Sequence, residues 1–366
     1  MSSGAYISWP FCPHKCSFCN FASGVFPQSL HTSYTDALVA ELERAVWPST
    51  PDTVYFGGGT PSLMPPKSLE RILQAIPGRP WREVTLEALP GRLQQADAEA
   101  WLAAGVDRVS FGVQSFVPRE LCDTGRRHTP EEVGHDFAVL RNAGFRSLCL
   151  DLIAGLPYQT IDSWHRSLDW VERIAPEHVS VYLLEVDEDS RLGREVLRGG
   201  HRYGAAAVPP EGLQADLYEI ASQRLEAMGL LHYEISNFAR PGFASIHNSK
   251  YWKLEPYLGF GADAHSFDGT WRWSNIESPV DYVARVQRGD SPECSREMAK
   301  LEEERFFLGL RLLDGIKPRP DEARAWDREI ADLCERGLLS HADGSLRLTR
   351  EGLLLSNEVF QEFVRT

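Results

Sequence analysis

Two hydrophobic spacings alternate along the first two thirds of the chain. Short runs of β-branched and aromatic residues predict six strands, over residues 5–11, 53–56, 83–88, 108–113, 147–153 and 178–185. Apolar residues at helical spacing predict helices over residues 33–46, 67–76, 96–104, 130–143, 161–174 and 212–228. Strands that alternate with helices pair in parallel through right-handed crossovers. The pattern therefore predicts an α/β fold, as an open six-unit barrel or a doubly wound sheet.

Chemically useful residues stand where the predicted strands end. The first strand leads into a loop that begins at Cys12, and the second leads into a glycine run at 57–59. The other four strands end at Glu87, Gln114, Asp151 and Glu185. One such residue is ordinarily a turn or a helix cap. In α/β barrels the functional residues lie at the carboxyl ends of the strands. Because all six predicted strands end in such a residue or loop, we predict a functional site at that face.

The alternation of strands and helices stops near residue 235, which predicts domains over 1–235 and 236–366. The second domain opens with a segment rich in glycine, histidine and aromatic residues. Beyond Glu302 the pattern predicts two helices, a hairpin over 341–348 around Asp343 and Gly344, and a closing helix over 350–364. This order is typical of a winged-helix-like module. Because the chain is acidic, we expect this module to serve in packing or in contact with a partner and not in DNA binding.

Composition narrows the classes of partner. The 366 residues are 43% hydrophobic and carry 38 basic and 52 acidic side chains, for a net charge of −14. Nucleic acids and anionic membranes attract positive surfaces, so neither is an expected partner. No apolar run is long enough to predict stable membrane insertion, and no signal peptide is visible. We therefore expect a cytoplasmic protein whose seven cysteines are reduced.

Three of those cysteines, Cys12, Cys16 and Cys19, lie on one short predicted loop. Structural zinc takes four ligands, and His14 is awkwardly placed to be the fourth. An iron–sulfur cluster bound by three thiolates would keep one iron without a protein ligand, where a substrate could chelate. Three free thiols are the remaining alternative. The spacing favours the cluster.

Cys-x3-Cys-x2-Cys after the first strand of a βα barrel resembles the radical S-adenosylmethionine (SAM) superfamily. Further motifs resemble the coproporphyrinogen dehydrogenase family and, within it, the HemW family of haem chaperones. They lie at residues 6–12, 57–62, 112–116, 125–129, 151–157, 233–238, 247–252 and 259–267. The resemblance covers nearly the whole chain. It implies a partial (β/α)6 TIM-like barrel, the radical SAM core, followed by a smaller α+β domain.

The resemblance also implies cofactors and the residues that bind them. A 4Fe–4S cluster would be bound by Cys12, Cys16 and Cys19, with SAM on its fourth iron. Contacts to SAM are implied for Tyr6, Gly58, Gly59, Thr60, Glu87, Gln114, Arg126 and Asp151. Haem, as cargo, would contact His247, Tyr251 and Trp252. For these last three residues a structural alternative stays open, in which the histidine closes a loop and the aromatic residues pack in the core.

Two departures from the coproporphyrinogen dehydrogenases bear on activity. Those enzymes carry a fourth cysteine where this chain has Phe21, and their longer segment before the cluster is missing here. Coproporphyrinogen oxidation is therefore not expected, although the fold that the resemblance implies is able to cleave SAM reductively; whether SAM is turned over or only bound stays open. The predicted function is delivery of haem to acceptor proteins, with flavodoxin or ferredoxin as electron donor and a homodimer as an expected assembly. The alternatives are a class C radical SAM methyltransferase or cyclopropanase and, less favoured, an oxygen-independent coproporphyrinogen III oxidase.

Overall fold

The computed structural model describes residues 2–91 and 93–365. The barrel strands are β1 Ser3–Trp9, β2 Pro51–Gly58, β3 Glu83–Ala88, β4 Arg108–Gln114, β5 Ser147–Ala154 and β6 His178–Leu183. The helices among and after them are α1 Ser29–Arg44, α2 Pro66–Ala75, α3 Gln95–Ala104, α4 Pro118–Cys122, α5 Pro130–Ala143, α6 Ile161–Ile174, α7 Arg191–Leu197 and α8 Glu211–Ala227. Short 3-10 helices cover Pro61–Leu63 and Arg202–Ala207. All six predicted strands and all six predicted helices are present.

Local sequence explains why the helices begin and end where they do. The Thr129 hydroxyl accepts a hydrogen bond from the Glu132 backbone N–H, and the Glu132 carboxylate accepts one from the Thr129 backbone N–H. Pro130 occupies the first turn of α5. Gly144 ends that helix in the left-handed region, at a φ of 108°. Thr160 and Ser163 form the same reciprocal pair at the start of α6. Helices α5 and α6 therefore have the predicted bounds.

The sheet continues beyond the six strands at both edges. The strands from β1 to β6 are parallel neighbours in sequence order. The later elements are β7 Leu231–Glu234, β8 Asn237–Ala239, α9 Ile246–Trp252, β9 Tyr257–Phe260, β10 His265–Phe267, β11 Trp271–Asn275, α10 Pro279–Gln287 and β12 Glu293–Met298. Strands β8 and β7 extend the β6 edge, and β9 to β12 extend the β1 edge, with β9 parallel to β1. The carboxyl end of β9 therefore lies at the same face as the cysteine loop.

A second hydrophobic core begins after this sheet. Its elements are α11 Leu301–Gly309, α12 Pro320–Ala325, α13 Asp327–Glu335, β13 Leu339–Ala342, β14 Ser345–Leu348, α14 Arg350–Leu354 and α15 Ser356–Gln361. Phe306, Trp326 and Phe363 lie at its centre. The closing helix predicted over 350–364 is instead two helices, which break at Leu355, where the backbone is at φ −107° and ψ 27°. Val359 and Phe363 of the later part pack into this core. The boundary near residue 235 stays a prediction, because the sheet runs on to β12.

The two faces of the barrel strands differ in polarity. The outward residues, such as Ile7, Phe56 and Leu150, are buried against the helices. The inward residues are largely polar, and they are Tyr6, Ser8, Thr53, Tyr55, Glu83, Thr85, Glu87, Arg108, Ser110, Gln114, Cys149, Asp151, His178, Ser180 and Tyr182. Barrels with a purely structural interior fill it with branched apolar side chains. We refer to this polar interior as the lumen, and it is the natural place for a ligand.

Candidate functional site at the carboxyl end of the barrel

The cysteine loop is tied to the barrel mouth by backbone hydrogen bonds. The Cys12 N–H donates to the Gly24 carbonyl at 2.8 Å, and the Gly24 N–H donates to the Pro10 carbonyl at 2.9 Å. The Ser17 N–H donates to the Thr124 carbonyl at 3.1 Å, which joins the loop to the turn after α4. Leu192 of α7 donates to the Ser17 carbonyl at 2.7 Å. The loop is therefore a fixed part of the face where the parallel strands end.

The three thiols share this loop and affect one another. Thr60 Oγ1 donates to Cys12 Sγ at 3.5 Å, and Cys19 Sγ lies 3.9 Å from Ser23 Oγ. Burial raises the pKa of the Cys12 thiol, hydrogen bonds from Thr60 and Ser23 oppose the rise, and the charges of Cys19 and Cys16 add to it. Within residues 2–91 and 93–365, no three histidine, cysteine or acidic side chains are grouped to hold one metal ion. In a 4Fe–4S cluster each thiolate binds a different iron, so convergence on one point is not required.

The glycine run after β2 lies directly against the start of the cysteine loop. The Gly59 N–H donates to the Trp9 carbonyl at 2.9 Å, and the Thr60 N–H donates to the Phe11 carbonyl at 3.0 Å. A Cβ atom on Gly59 would lie 2.6 Å from the Trp9 carbonyl oxygen and 2.8 Å from the Pro10 carbonyl carbon. Only glycine permits this approach. The backbone of the glycine run therefore packs directly against the start of the cysteine loop.

We expect Gly59→Ala to weaken the attachment of the cysteine loop. The added methyl group must displace the backbone at Trp9 and Pro10, which costs about 1–3 kcal/mol of unfolding free energy. Urea unfolding and iron content after anaerobic reconstitution measure the two effects. Gly212→Ala in α8 is the matched control, because a Cβ there meets no atom within 4 Å. Normal iron content and stability in Gly59→Ala would show that the close approach is not required.

Two carboxylates and two tyrosines form the middle of the lumen. Tyr55 donates to Glu87 Oε1 at 2.8 Å, and the Tyr6 and Tyr55 rings stack with centroids 6.0 Å apart. Ser110 Oγ lies 3.5 Å from Asp151 Oδ1. Burial raises the pKa of Glu87 to about 7, opposed by the Tyr55 hydrogen bond and increased by Asp151. Burial also raises the pKa of Asp151. These side chains could accept hydrogen bonds from the hydroxyl or ammonium groups of a ligand.

Gln114 and Arg126 complete the site at its rim. Gln114 ends β4 at a φ of 71°, and Arg126 donates to the Gly112 carbonyl. The Arg126 guanidinium carbon also lies 5.9 Å from the Phe18 ring of the cysteine loop. Gln114 Oε1 and Arg126 Nε are buried and have no partner among the described residues. Buried polar atoms without a partner are costly, so both atoms suit a bound ligand with complementary groups.

The predicted residues fall into two separate places. Those implied for SAM line the barrel mouth and lumen, although Tyr6 and Asp151 lie within their strands and not at the strand ends. Glu185 follows β6 and is exposed. The helix α9, which carries His247, Tyr251 and Trp252, lies at the opposite end of the barrel. There His247 contacts Gly4 and Thr53, which stand near the starts of β1 and β2.

In this structure His247 is part of the core. Its Nδ1 lies 2.9 Å from Thr53 Oγ1 and its Nε2 lies 2.8 Å from the Tyr251 hydroxyl, so each ring nitrogen has a protein partner. Burial lowers the pKa of His247 to about 3, so the ring is neutral. Trp252 is half-buried and lies under the Arg311 guanidinium, 4.4 Å from the ring centroid.

Sequence reasoning missed several residues of the lumen, chiefly Tyr55, Arg108, Ser110, Ser180 and Tyr182. The sequence did carry a signal for these residues, which is polar side chains at alternate positions of the buried strands. Strands of a parallel sheet with helices on both faces are ordinarily apolar throughout. Every second residue of β3 and β6 is polar instead, and β4 carries Arg108, Ser110 and Gln114 on the same face.

Comparison with known proteins identifies the family. The heme chaperone HemW of Bacillus subtilis (strain 168) is 35% identical over 378 residues, which cover 98% of each chain. The chain belongs to the HemW family of radical SAM proteins. A family model described as "Radical SAM superfamily" matches residues 6–171, and one described as "HemN C-terminal domain" matches residues 301–355. The resemblance inferred from the motifs is therefore confirmed.

Other HemW relatives support the assignment over the full length. The HemW of Mycobacterium tuberculosis (strain ATCC 25618 / H37Rv) is 34% identical, covering 97% of this chain and 93% of the relative. The mitochondrial radical S-adenosyl methionine domain-containing protein 1 of Bos taurus is 32% identical, and the alignment covers 95% of this chain and 84% of the relative. Coproporphyrinogen III oxidase (HemN) from Escherichia coli superposes with a TM-score of 0.82 over 99% of this chain and 90% of that one. At 20% identity that likeness shows the fold alone.

The residues present fit the cofactors that the radical SAM family implies, a 4Fe–4S cluster and SAM. Three thiols lie on one loop, and the backbone of a glycine run packs directly against that loop. Gln114 Oε1 and Arg126 Nε are buried without a partner among the described residues, and the Arg126 guanidinium lies beside Phe18 of the loop. The lumen carries the buried carboxyl groups of Glu87 and Asp151. Among the described residues, no helix is long and apolar enough to cross a membrane.

Proposed function

We propose that this protein binds haem and delivers it to acceptor proteins, and that it carries a 4Fe–4S cluster and SAM at the barrel mouth. The observation that carries the proposal is similarity to HemW heme chaperones over 98% of the chain. The family match to the radical SAM superfamily supports the cofactors. An electron donor of the flavodoxin or ferredoxin type belongs to the same proposal. A homodimer and a cytoplasmic location stay predictions.

The residues of the mouth have separate proposed roles toward the cofactors. Cys12, Cys16 and Cys19 would hold three irons, and SAM would chelate the fourth. The backbone at 58–60 would meet the amino and carboxylate groups of SAM, and Arg126 would offer its paired donors to the carboxylate. When bound and reduced, such a cluster supplies the electron that cleaves SAM. Tyr6, Glu87, Gln114 and Asp151 would orient SAM by hydrogen bonds.

The haem contacts predicted on α9 require a choice between two alternatives. The iron of haem could bind a ring nitrogen of His247 only after the hydrogen bond of that nitrogen to Thr53 or Tyr251 breaks. We therefore adopt the structural alternative for His247 and Tyr251. A haem contact at Trp252, the residue that packs under Arg311, stays a prediction.

Haem titration of the anaerobically reconstituted protein, followed by absorbance, tests the proposal. We expect saturable binding of one haem per chain. In parallel, release of 5′-deoxyadenosine is measured with haem, with coproporphyrinogen and with neither. Absence of saturable haem binding would contradict the chaperone assignment. A methylated product would indicate the methyltransferase alternative, and decarboxylation of coproporphyrinogen would indicate the oxidase.

A further inference from the structure

One arginine lies buried beneath the carboxylates of the lumen. Arg108 begins β4 and is 3% exposed. Its Nη1 lies 3.5 Å from Thr85 Oγ1, a weak hydrogen bond, and its Nε lies 4.0 Å from Glu83 Oε2. Nε has no hydrogen-bond acceptor among the described residues. A guanidinium has five N–H donors, so this buried cation is poorly satisfied by its neighbours.

The acidic partner of Arg108 is largely engaged elsewhere. Glu83 accepts the backbone N–H groups of Ile246 and His247 at 2.9 Å each, at the start of α9. It also accepts from Ser245 Oγ at 3.3 Å. Its carboxylate therefore anchors the helix that closes the amino end of the barrel. At 4.0 Å, and with its oxygens engaged by α9, Glu83 neutralises the charge of Arg108 only in part.

The strand register places Arg108 below both ligand-facing carboxylates. Ser110 pairs with Glu87 on β3, and Gly112 pairs with Asp151 on β5. Because side chains alternate along a strand, Arg108 faces the same interior as Ser110 and Gly112. The positive charge of Arg108 opposes the rise in the pKa of Glu87 and in the pKa of Asp151. Two carboxylates sharing one buried space otherwise disfavour each other's ionisation.

The other titratable groups around the two carboxylates are neutral near pH 7. Burial raises the pKa of the tyrosines at 6, 55, 182 and 251 and raises the pKa of Cys149 to about 12. The second cation, Arg126, stands at the mouth and donates to a backbone carbonyl. Among the described groups that face these carboxylates, two are therefore cationic: Arg108 at the base of the lumen and Arg126 at its rim.

The groups that face Arg108 itself add no second positive charge. Burial lowers the pKa of His178 and of His247, so both imidazoles are neutral, and burial raises the pKa of Tyr233. Asp107, the preceding residue, accepts from the Val84 backbone N–H at 2.7 Å, and burial raises its pKa. The other buried cation at this end, Lys250 of α9, pairs with Asp52 at 2.8 Å and with Glu255 at 3.0 Å, so Arg108 is the cation that faces the lumen from its base.

We propose that Arg108 is a positioning residue, whose buried guanidinium at the base of the lumen favours the ionised form of Glu87 and Asp151, the form that binds the hydroxyl and ammonium groups of a ligand. Where the ligand is SAM, the inference rests on the function proposed above. The charge effect belongs to the protein itself and is independent of the cluster.

SAM affinity across pH tests the effect on the ligand. Equilibrium dialysis of reconstituted protein between about pH 6.5 and about pH 9 compares the natural chain with Arg108→Gln and Arg108→Lys. We expect Arg108→Gln to bind SAM about tenfold more weakly near pH 7, with the deficit shrinking as pH rises and the carboxyl groups ionise. Arg108→Lys keeps the charge and is expected to restore most of the affinity. Arg141→Gln is the matched control, since Arg141 pairs with Glu177 on the outer surface.

Infrared titration of the carboxyl groups tests the charge effect without SAM. Arg108→Gln is expected to show more protonated carboxyl signal near neutral pH, and Glu87→Gln in the same chain should remove part of it. Glu83→Gln should shift the titration toward lower pH, because it removes a negative charge next to Arg108. This variant carries the test if Arg108→Gln does not fold.

The outcomes separate this inference from the proposed function. An equal loss of SAM affinity at every pH, with an unchanged infrared titration, would make Arg108 a packing residue only and overturn the inference. An unchanged affinity together with an unchanged titration would also overturn it. If the natural chain binds no SAM, the cofactor assignment fails, whereas the infrared result still decides the role of Arg108.

Discussion

Replacing Cys12, Cys16 and Cys19 together by alanine is expected to abolish iron binding. The three thiols are the proposed ligands of the cluster, and the loop that holds them is fixed by backbone hydrogen bonds that the substitutions do not touch. Iron analysis and the electron paramagnetic resonance spectrum of the reduced, anaerobically reconstituted protein measure the effect. The natural chain should hold one 4Fe–4S cluster, and the triple variant none.

The remaining cysteines provide the control for this experiment. Cys122 and Cys294 are exposed, and Cys149 is buried in the lumen with a pKa raised to about 12 by burial. Substituting Cys122 and Cys294 by alanine should leave the cluster signal unchanged. Persistence of the cluster in the triple variant, or its loss in the control, would assign the iron to other ligands.

Replacing His247 by alanine is expected to destabilise the fold. The ring is fully buried against Gly4, and both nitrogens have hydroxyl partners. Removing it leaves a cavity and unpairs the hydroxyls of Thr53 and Tyr251, at a cost of about 2–5 kcal/mol in unfolding free energy. Urea unfolding measures this change. His265→Ala is the matched control, because His265 is exposed at the start of β10.

The pH dependence of stability gives His247 a second signature. Its pKa falls from 6.5 to about 3 on burial, so the unfolded chain binds a proton between those values that the folded chain does not. The stability associated with the neutral ring is present above about pH 6.5 and is lost as the pH falls toward about 3. The His247→Ala variant should therefore lose less stability on acidification than the natural chain.

The haem spectrum separates the structural role of His247 from an iron ligand. With the structural alternative, the haem-bound fraction of His247→Ala keeps the Soret maximum of the natural chain. A shifted maximum with unchanged unfolding free energy would instead identify His247 as an axial ligand and contradict the structural assignment.

The parts of the fold that the sequence predicts are those with local signals. The bounds of α5 and α6 follow from Thr129, Thr160 and their capping partners, whose hydrogen bonds span three residues. The strands from β9 to β12 were not predicted, because each is short and its partners lie far away in sequence, as Tyr257 and Gly4 do. Propensity carries little information about such nonlocal pairing.

The candidate site divides in the same way. The cysteine loop and the glycine run at 57–59 are continuous motifs, and the structure brings them into contact through Gly59 and Trp9. Tyr55 and Arg108 were missed, because strand-end reasoning considers the last residue of a strand and not its alternate face. Tyr55 and Arg108 matter because they are buried near Glu87 and Asp151. That burial exists only once the strands are assembled into the partial barrel.

Transfer of haem from this protein to an acceptor tests the central claim most directly. The reconstituted protein is loaded with one equivalent of haem, purified from free haem, and mixed with an apo-acceptor whose absorbance reports haem uptake, such as apomyoglobin. If delivery is the function, transfer should be faster than uptake from haem held by serum albumin and should depend on the integrity of the chain. Haem that stays bound, or that leaves only at the albumin rate, would contradict delivery as the function.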